Sequence, residues 1–378
     1  MEAGSPVAVP PSKPLGVLLP AVSPVEGLGV PPGEVPWLGR PLGLRQERAF
    51  RLAGVEPGPD DPSRERVVLA ADAAATPPAV LGLLRHGRAQ GEPTAFVPGG
   101  ELGVLARSLR LGRDGVLAAW LPPGAPLDAA ALAALVPLPL DPAEQAVDVP
   151  VPAAAFGAAT LRVPLADRLI LPAGHWVQVL WANLLGLGPF LWKEFLGANA
   201  VAMAFRLASA AVRARSLRPA RLATVMGRRA RGVRVHPSAV VEGSWLGDGV
   251  EVGAQAVVRG ALLAEGARVG DQALVEYAVL GRGAVVERQA AASFSVLDAG
   301  SACAGSILLG LVGSGAVVGR GAVLPRAGGE TRVLAGGARV PAPLGLAVAL
   351  VAPRVQAAAR NAEAGPGAGL EDGAGDGT

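Results

Sequence analysis

Between Ser244 and Leu311 the chain repeats itself every seventeen residues, in four blocks that align almost without adjustment: SWLGDGVEVGAQAVVRG, ALLAEGARVGDQALVEY, AVLGRGAVVERQAAASF and SVLDAGSACAGSILLGL. Leu246, Leu263, Leu280 and Leu297 share one column. Gly249, Gly266, Gly283 and Gly300 share a second, and Val252, Val269, Val286 and Cys303 a third. A fixed period of this kind means stacked structural units rather than one folded-over core.

Within a block the candidate interior residues recur about every six positions: Leu246, Val252 and Val258, then Leu263, Val269 and Val275. That spacing matches neither the helical period of about 3.6 nor the two-residue period of one long strand. It fits a coil of three short strands, each giving one aliphatic side chain to a narrow shared interior. Gly247, Ala256, Ala264 and Ala273 suit tight corners, as do the aligned glycines. Each coil then pairs mainly with the next. The pattern resembles the hexapeptide-repeat, left-handed parallel β-helix family over about Val235 to Val323. His236-Pro237-Ser238-Ala239 marks the opening coil, and Val312 to Val318 resumes the columns after a two-residue deletion. A β-helix of about five coils is the expectation.

The 378 residues leave room for a second domain before the repeats. Short apolar runs there alternate with helical segments. Gly16 to Pro20 reads as a strand, and Arg45 to Ala53 as a helix closed by Gly54. Glu65 to Ala70 reads as a second strand, before a helix opening at Thr76-Pro77. Val149 to Leu165 reads as one or two later strands. This alternation predicts an α/β domain. The expected organisation is a disordered segment 1–14, an α/β domain 15–167, an apolar and arginine-rich helical connector 168–232, and a β-helix 233–340. A closing helix 341–360 and a disordered tail 361–378 complete it.

Residues 169–192 carry no charge. Pro172, Gly174, His175, Asn183 and Pro189 argue for a buried or docked helix over a membrane span. Nine arginines and no acid follow between Arg206 and Arg234, which suits a solvated linker or a surface for anionic membranes or ligands. The net charge of +3 is too small to imply a nucleic-acid partner. The single cysteine, Cys303, excludes an internal disulfide and belongs to an interior column. Met1 to Pro14 lacks the basic start and apolar run of a secretion signal, so a cytoplasmic protein, at most peripheral to the inner membrane, is expected.

A second resemblance concerns the first domain. Val35-Pro36-Trp37-Leu38-Gly39-Arg40-Pro41-Leu42, leading through Arg51 to Ala53-Gly54-Val55, resembles the early segment of sugar-1-phosphate nucleotidyltransferases. Trp181-Ala182-Asn183 is similar to the helix that precedes the β-helix in their bifunctional members. The resemblance implies a glycine-rich phosphate loop holding Gly27 and Gly29, substrate contact from Arg40, and Mg²⁺ on Asp72. Sugar phosphates or nucleotides would be the ligands. This chain lacks the arginine and the Pro-Lys pair of that loop, and only seventeen positions separate Val55 from Asp72. A reduced domain, with a degenerate active site, is therefore expected. Asp72 capping a helix entry is the plainer reading. Acyl transfer is the other chemistry that β-helices host, with a histidine as general base. Only His236 touches the repeat, at its opening turn. The resemblance also implies a homotrimer, and the remaining alternative is a non-catalytic oligomerising scaffold.

Overall fold

The computed structural model describes residues 13–21, 23–109, 111, 115–150, 160–196, 200–215, 227–325, 332–342 and 348–357. The expectations for most of 1–14 and for the tail 361–378 fall outside these residues.

The repeats wind into a parallel β-helix. Three flat sheets of seven, seven and six strands run its length, and all pairings between successive coils are parallel. Leu246 pairs with Leu263, Val252 with Val269, and Val258 with Val275, the seventeen-residue period made physical. These side chains point inward and are buried, as is Cys303. Each aliphatic rung withdrawn from water contributes about 1.5–3 kcal/mol. The stack makes about six turns, one more than the repeats count, because it begins at Gly227–Arg229 and ends at Ala349–Val351 and Gln356–Ala357. Strands thus stand where a closing helix over 341–360 was expected. The open edge of the last repeat supplies unpaired backbone groups, and these residues satisfy them.

The three corners are built differently. Gly249, Gly266, Gly283 and Gly300 turn the first with φ between +64° and +69°. Gln255, Gln272 and Gln289 turn the second in the same left-handed region, their side-chain amides laddered at 2.9 and 3.2 Å. At the third, Tyr277 and Phe294 adopt φ near +49°, and their rings stack with centroids 5.0 Å apart. Where two residues are deleted, Gly305 cuts the second corner short. A Cβ there would lie 2.3 Å from the carbonyl oxygen of Ala322.

The N-terminal domain is mixed α/β. Its strands are β1 (Leu15–Leu18), β2 (Glu56–Pro57), β3 (Arg66–Leu69), β4 (Ala73–Ala75), β5 (Thr94–Pro98), β6 (Ala118–Leu121) and β7 (Pro137–Leu140). All but β4 form a six-stranded sheet in the order β2-β1-β3-β6-β5-β7, in which only β6 runs antiparallel to its neighbours. Helices α1 (Leu42–Leu52), α2 (Pro77–Gln90), α3 (Gly100–Ser108) and α4 (Ala129–Ala134) accompany it. A long hairpin, β8 (Glu144–Pro150) with β9 (Thr160–Ala166), follows the sheet, and β10 (Ile170–Pro172) pairs with β4.

The uncharged stretch then becomes α5 (Trp176–Leu196), whose Val177, Leu180, Trp181 and Leu185 are buried. It wedges between the domain and the first face of the β-helix. Trp37 and Leu38 share one core there with Leu262, Val279, Val296 and Leu311. Among the described residues no helix is long and apolar enough to cross a membrane. A further helix, α6 (Ala200–Ala214), leans on α5.

Candidate functional site

The loop after β1 lies at the carboxyl end of a parallel strand, where open α/β sheets generally place their ligands. Here the loop closes on itself. Val25 N–H donates to the Val30 carbonyl at 2.8 Å, Leu28 and Gly29 N–H to that of Val25, and Glu26 N–H to that of Gly174. Gly27 has φ +82°, and a Cβ on it would stand 2.4 Å from the Trp176 ring. A hairpin from the far end of the chain, Arg332–Ala335 with Ala338–Pro341, reaches this loop. The Glu26 carboxylate accepts the Gly336 N–H at 3.0 Å. Buried His175 holds its Nδ1 to the Val177 N–H, which leaves the Nε2–H to donate to the Leu334 carbonyl at 2.8 Å. A phosphate cradle needs amide hydrogens turned outward. Three of this loop's are spent internally and a fourth on Gly174, so Gly27 and Gly29 form a packed knot.

Asp72 sits in the turn between β3 and β4, and its carbonyl accepts the Ala173 N–H at 2.7 Å. It caps no helix. The N-cap of α2 is Thr76, whose hydroxyl donates to the Asp167 carbonyl. Among the described residues no three of His, Cys, Asp or Glu gather to hold a metal ion. The residues around Asp72 therefore do not fit a magnesium site.

Arg40 is the predicted site residue that does face an opening. The strands Pro36–Trp37 and Arg40–Pro41 form a small hairpin turned by Leu38 (φ 50°) and Gly39 (φ 74°), two positive-φ residues as the tightest hairpins require. A Cβ on Gly39 would come within 2.7 Å of Leu262 on the β-helix. Asn183 fixes the strain of Leu38. Its Oδ1 accepts the Leu38 N–H at 2.7 Å while its Nδ2 donates to Pro36 and Val179 carbonyls. Arg45 lies beneath, donating to the Trp37 and Leu38 carbonyls and lying 5.1 Å over the Phe190 ring. Burial, with help from Arg48 and Arg40, pulls its pKa down to about 10, so it remains a cation at neutral pH. The motif that resembles a nucleotidyltransferase turn thus serves as the peg that docks the domain on the β-helix.

Between this peg and the first corner of the β-helix runs a cleft of about 860 Å³. Arg40 lines one wall; Arg282, Asp298, Ser314 and Arg354 line the other, over a floor with Trp245 and Leu262. Arg282 reaches Glu265 at 3.5 Å. Among the described residues Arg40 and Arg354 meet no carboxylate. Asp298 occupies a corner position that is Gly, Ala or Gly in the preceding coils. Burial pushes its carboxyl pKa up, against the pull of the Ala299 N–H that it accepts at 2.6 Å. Two free cations, a carboxyl that is half-buried and a hydroxyl therefore converge on one opening.

The other candidates for chemistry are occupied. His236 Nδ1 is held by Ser238 at 2.8 Å on the surface of the opening coil, and His86 bonds its own helix. Burial pushes the Cys303 thiol up to about 11, which leaves it unreactive. The coil carboxylates form ladders with cations of adjacent coils, such as Glu242 and Glu276 on either side of Arg259. Sequence reasoning missed Asp298, Ser314 and Arg354. Only the break in the small-residue column at Asp298 could have marked that wall.

No protein family matches the chain, and no curated protein matches it.

Proposed function

We propose that this protein is a non-catalytic relative of the sugar-1-phosphate nucleotidyltransferases. Its β-helix is left-handed, as in the hexapeptide-repeat family, and it binds a phosphorylated sugar without transferring a nucleotide. The closed glycine loop carries this reading. With four of its amides already bound, three to its own carbonyls and one to Gly174, and Gly27 packed on Trp176, it offers no seat for a triphosphate. The cleft at Arg40 offers a seat of another kind. Guanidinium groups recognise phosphate through paired, charge-assisted bonds. Asp298 and Ser314 supply acceptors for sugar hydroxyls, and the Trp245 side gives an apolar floor. Assembly into a homotrimer through the two β-helix faces not covered by α5 completes the proposal, with the protein acting as a binding scaffold.

Titration calorimetry with a hexose 1-phosphate and a nucleotide sugar tests the binding. Heat independent of Mg²⁺ is expected, with affinity falling about tenfold or more in Arg40→Ala and in Arg354→Ala. No heat with either ligand overturns the cleft. Pyrophosphate release from a nucleoside triphosphate and sugar phosphate, abolished by Asp72→Ala, overturns the non-catalytic reading. Sedimentation at micromolar concentration tests the trimer.

A further inference from the structure

Twelve large apolar side chains stand exposed among the described residues, and four of them fall close together along the chain: Trp192 near the end of α5, and Val201, Phe205 and Val212 on α6. Val201, Phe205, Ala208 and Val212 are spaced i, i+4, i+7 and i+11, one continuous stripe along a helix. Their exposure is 80% at Val201, 75% at Phe205 and 76% at Val212, while Ala210, toward α5, is buried. The helix therefore presents one continuous apolar stripe to solvent, where an ordinary surface helix shows a polar face.

Charge says what covers that stripe. From Arg206 to Arg234 the sequence holds nine arginines and no acid. Arg215 follows Val212 by three places, which sets it beside the stripe. Arg215 at the helix end is exposed, as are Arg229 and Arg231 in the first coil, which packs on α5. A symmetric contact between two copies would bring these like charges face to face. An exposed apolar stripe that leads into an arginine-rich, acid-free segment suits an interface that is apolar within and anionic at its surface.

We propose that α6 lies flat on an anionic lipid bilayer, with Val201, Phe205, Val212 and Trp192 entering the acyl boundary and the arginines meeting lipid phosphates. This inference stands apart from the cleft, which plays no part in it. Long arginine stems reach the headgroups while the stripe sinks below them. The contact is peripheral, because no described helix can span.

Co-sedimentation of the full chain with vesicles tests it. At low salt the protein should pellet with vesicles rich in phosphatidylglycerol and remain in the supernatant with pure phosphatidylcholine, and high salt should weaken the binding. Val201→Glu with Phe205→Glu should lower the vesicle partition about tenfold or more. These side chains are exposed, so the gel-filtration volume should not move. Arg229→Gln with Arg231→Gln, which leaves the helix intact, should weaken binding to a lesser extent. The proposal is overturned by failure to pellet with anionic vesicles or by equal pelleting with the neutral ones. Full retention of binding by the glutamate variant also overturns it. So does a shift of that variant to a smaller oligomer, which would show a second copy on the stripe.

Discussion

The β-helix and the N-terminal domain bury similar aliphatic side chains, yet they are specified in opposite ways. In the β-helix each residue answers to the one seventeen places on, so Leu263 pairs with Leu246 on one side and Leu280 on the other. In the domain, single long-range contacts decide the geometry. Asn183 holds Leu38 across 145 positions, and Thr76 holds Asp167 across 91. The first design is redundant and tolerates drift, as the shortened fourth block demonstrates. The second depends on a few polar contacts that have no substitute.

Breaking a rung should give the largest effect. Leu280→Ala, fully buried between Leu263 and Leu297, should cost about 2–5 kcal/mol in urea unfolding. A loss under about 1 kcal/mol would mean that coils relax independently, against the neighbour coupling argued above. Asn183→Ala comes next. It leaves the buried Leu38 N–H without its acceptor, and should cost about 3 kcal/mol by the same measurement. Because the peg carries Arg40, sugar-phosphate affinity should fall with it; unchanged affinity would separate the peg from the cleft.

The smallest effect is the most diagnostic of site against scaffold. Burial raises the Asp298 carboxyl pKa, so the folded chain binds that proton more tightly than the unfolded chain does. Stability is then lost as pH climbs from the unfolded carboxylate value of about 4 through the higher folded value. Asp298→Asn should raise the thermal midpoint slightly at pH 7, and the gain should vanish in acid, where both states are protonated. A gain that persists at about pH 3 would assign the effect to packing.

How much the sequence revealed follows the same division. The columns placed the rungs, the glycine corner and Cys303 correctly, because a period reports local stacking directly. Gln255, Gln272 and Gln289 were equally periodic, but a glutamine at positive φ is not a recognised turn signal. The final coil escaped notice because residues 325–348 interrupt the period before Ala349–Val351 rejoins the stack. In the domain, β1, β3, α1 and α2 were legible from apolar runs and turn residues. The use of the Gly39–Leu42 turn was not, since the glycine is demanded by Leu262, 223 positions away. The cleft wall at Asp298 and Arg354 was hidden for the same reason, as its two sides meet only in three dimensions.

The late hairpin that grips Glu26 and His175 has a bearing on how the polypeptide matures. A ribosome delivers the early loop some three hundred residues before Leu334 and Gly336 emerge to fasten it. Until then the nascent first domain lacks its latch, so the finished conformation of residues 25–30 is a property of the completed translation product.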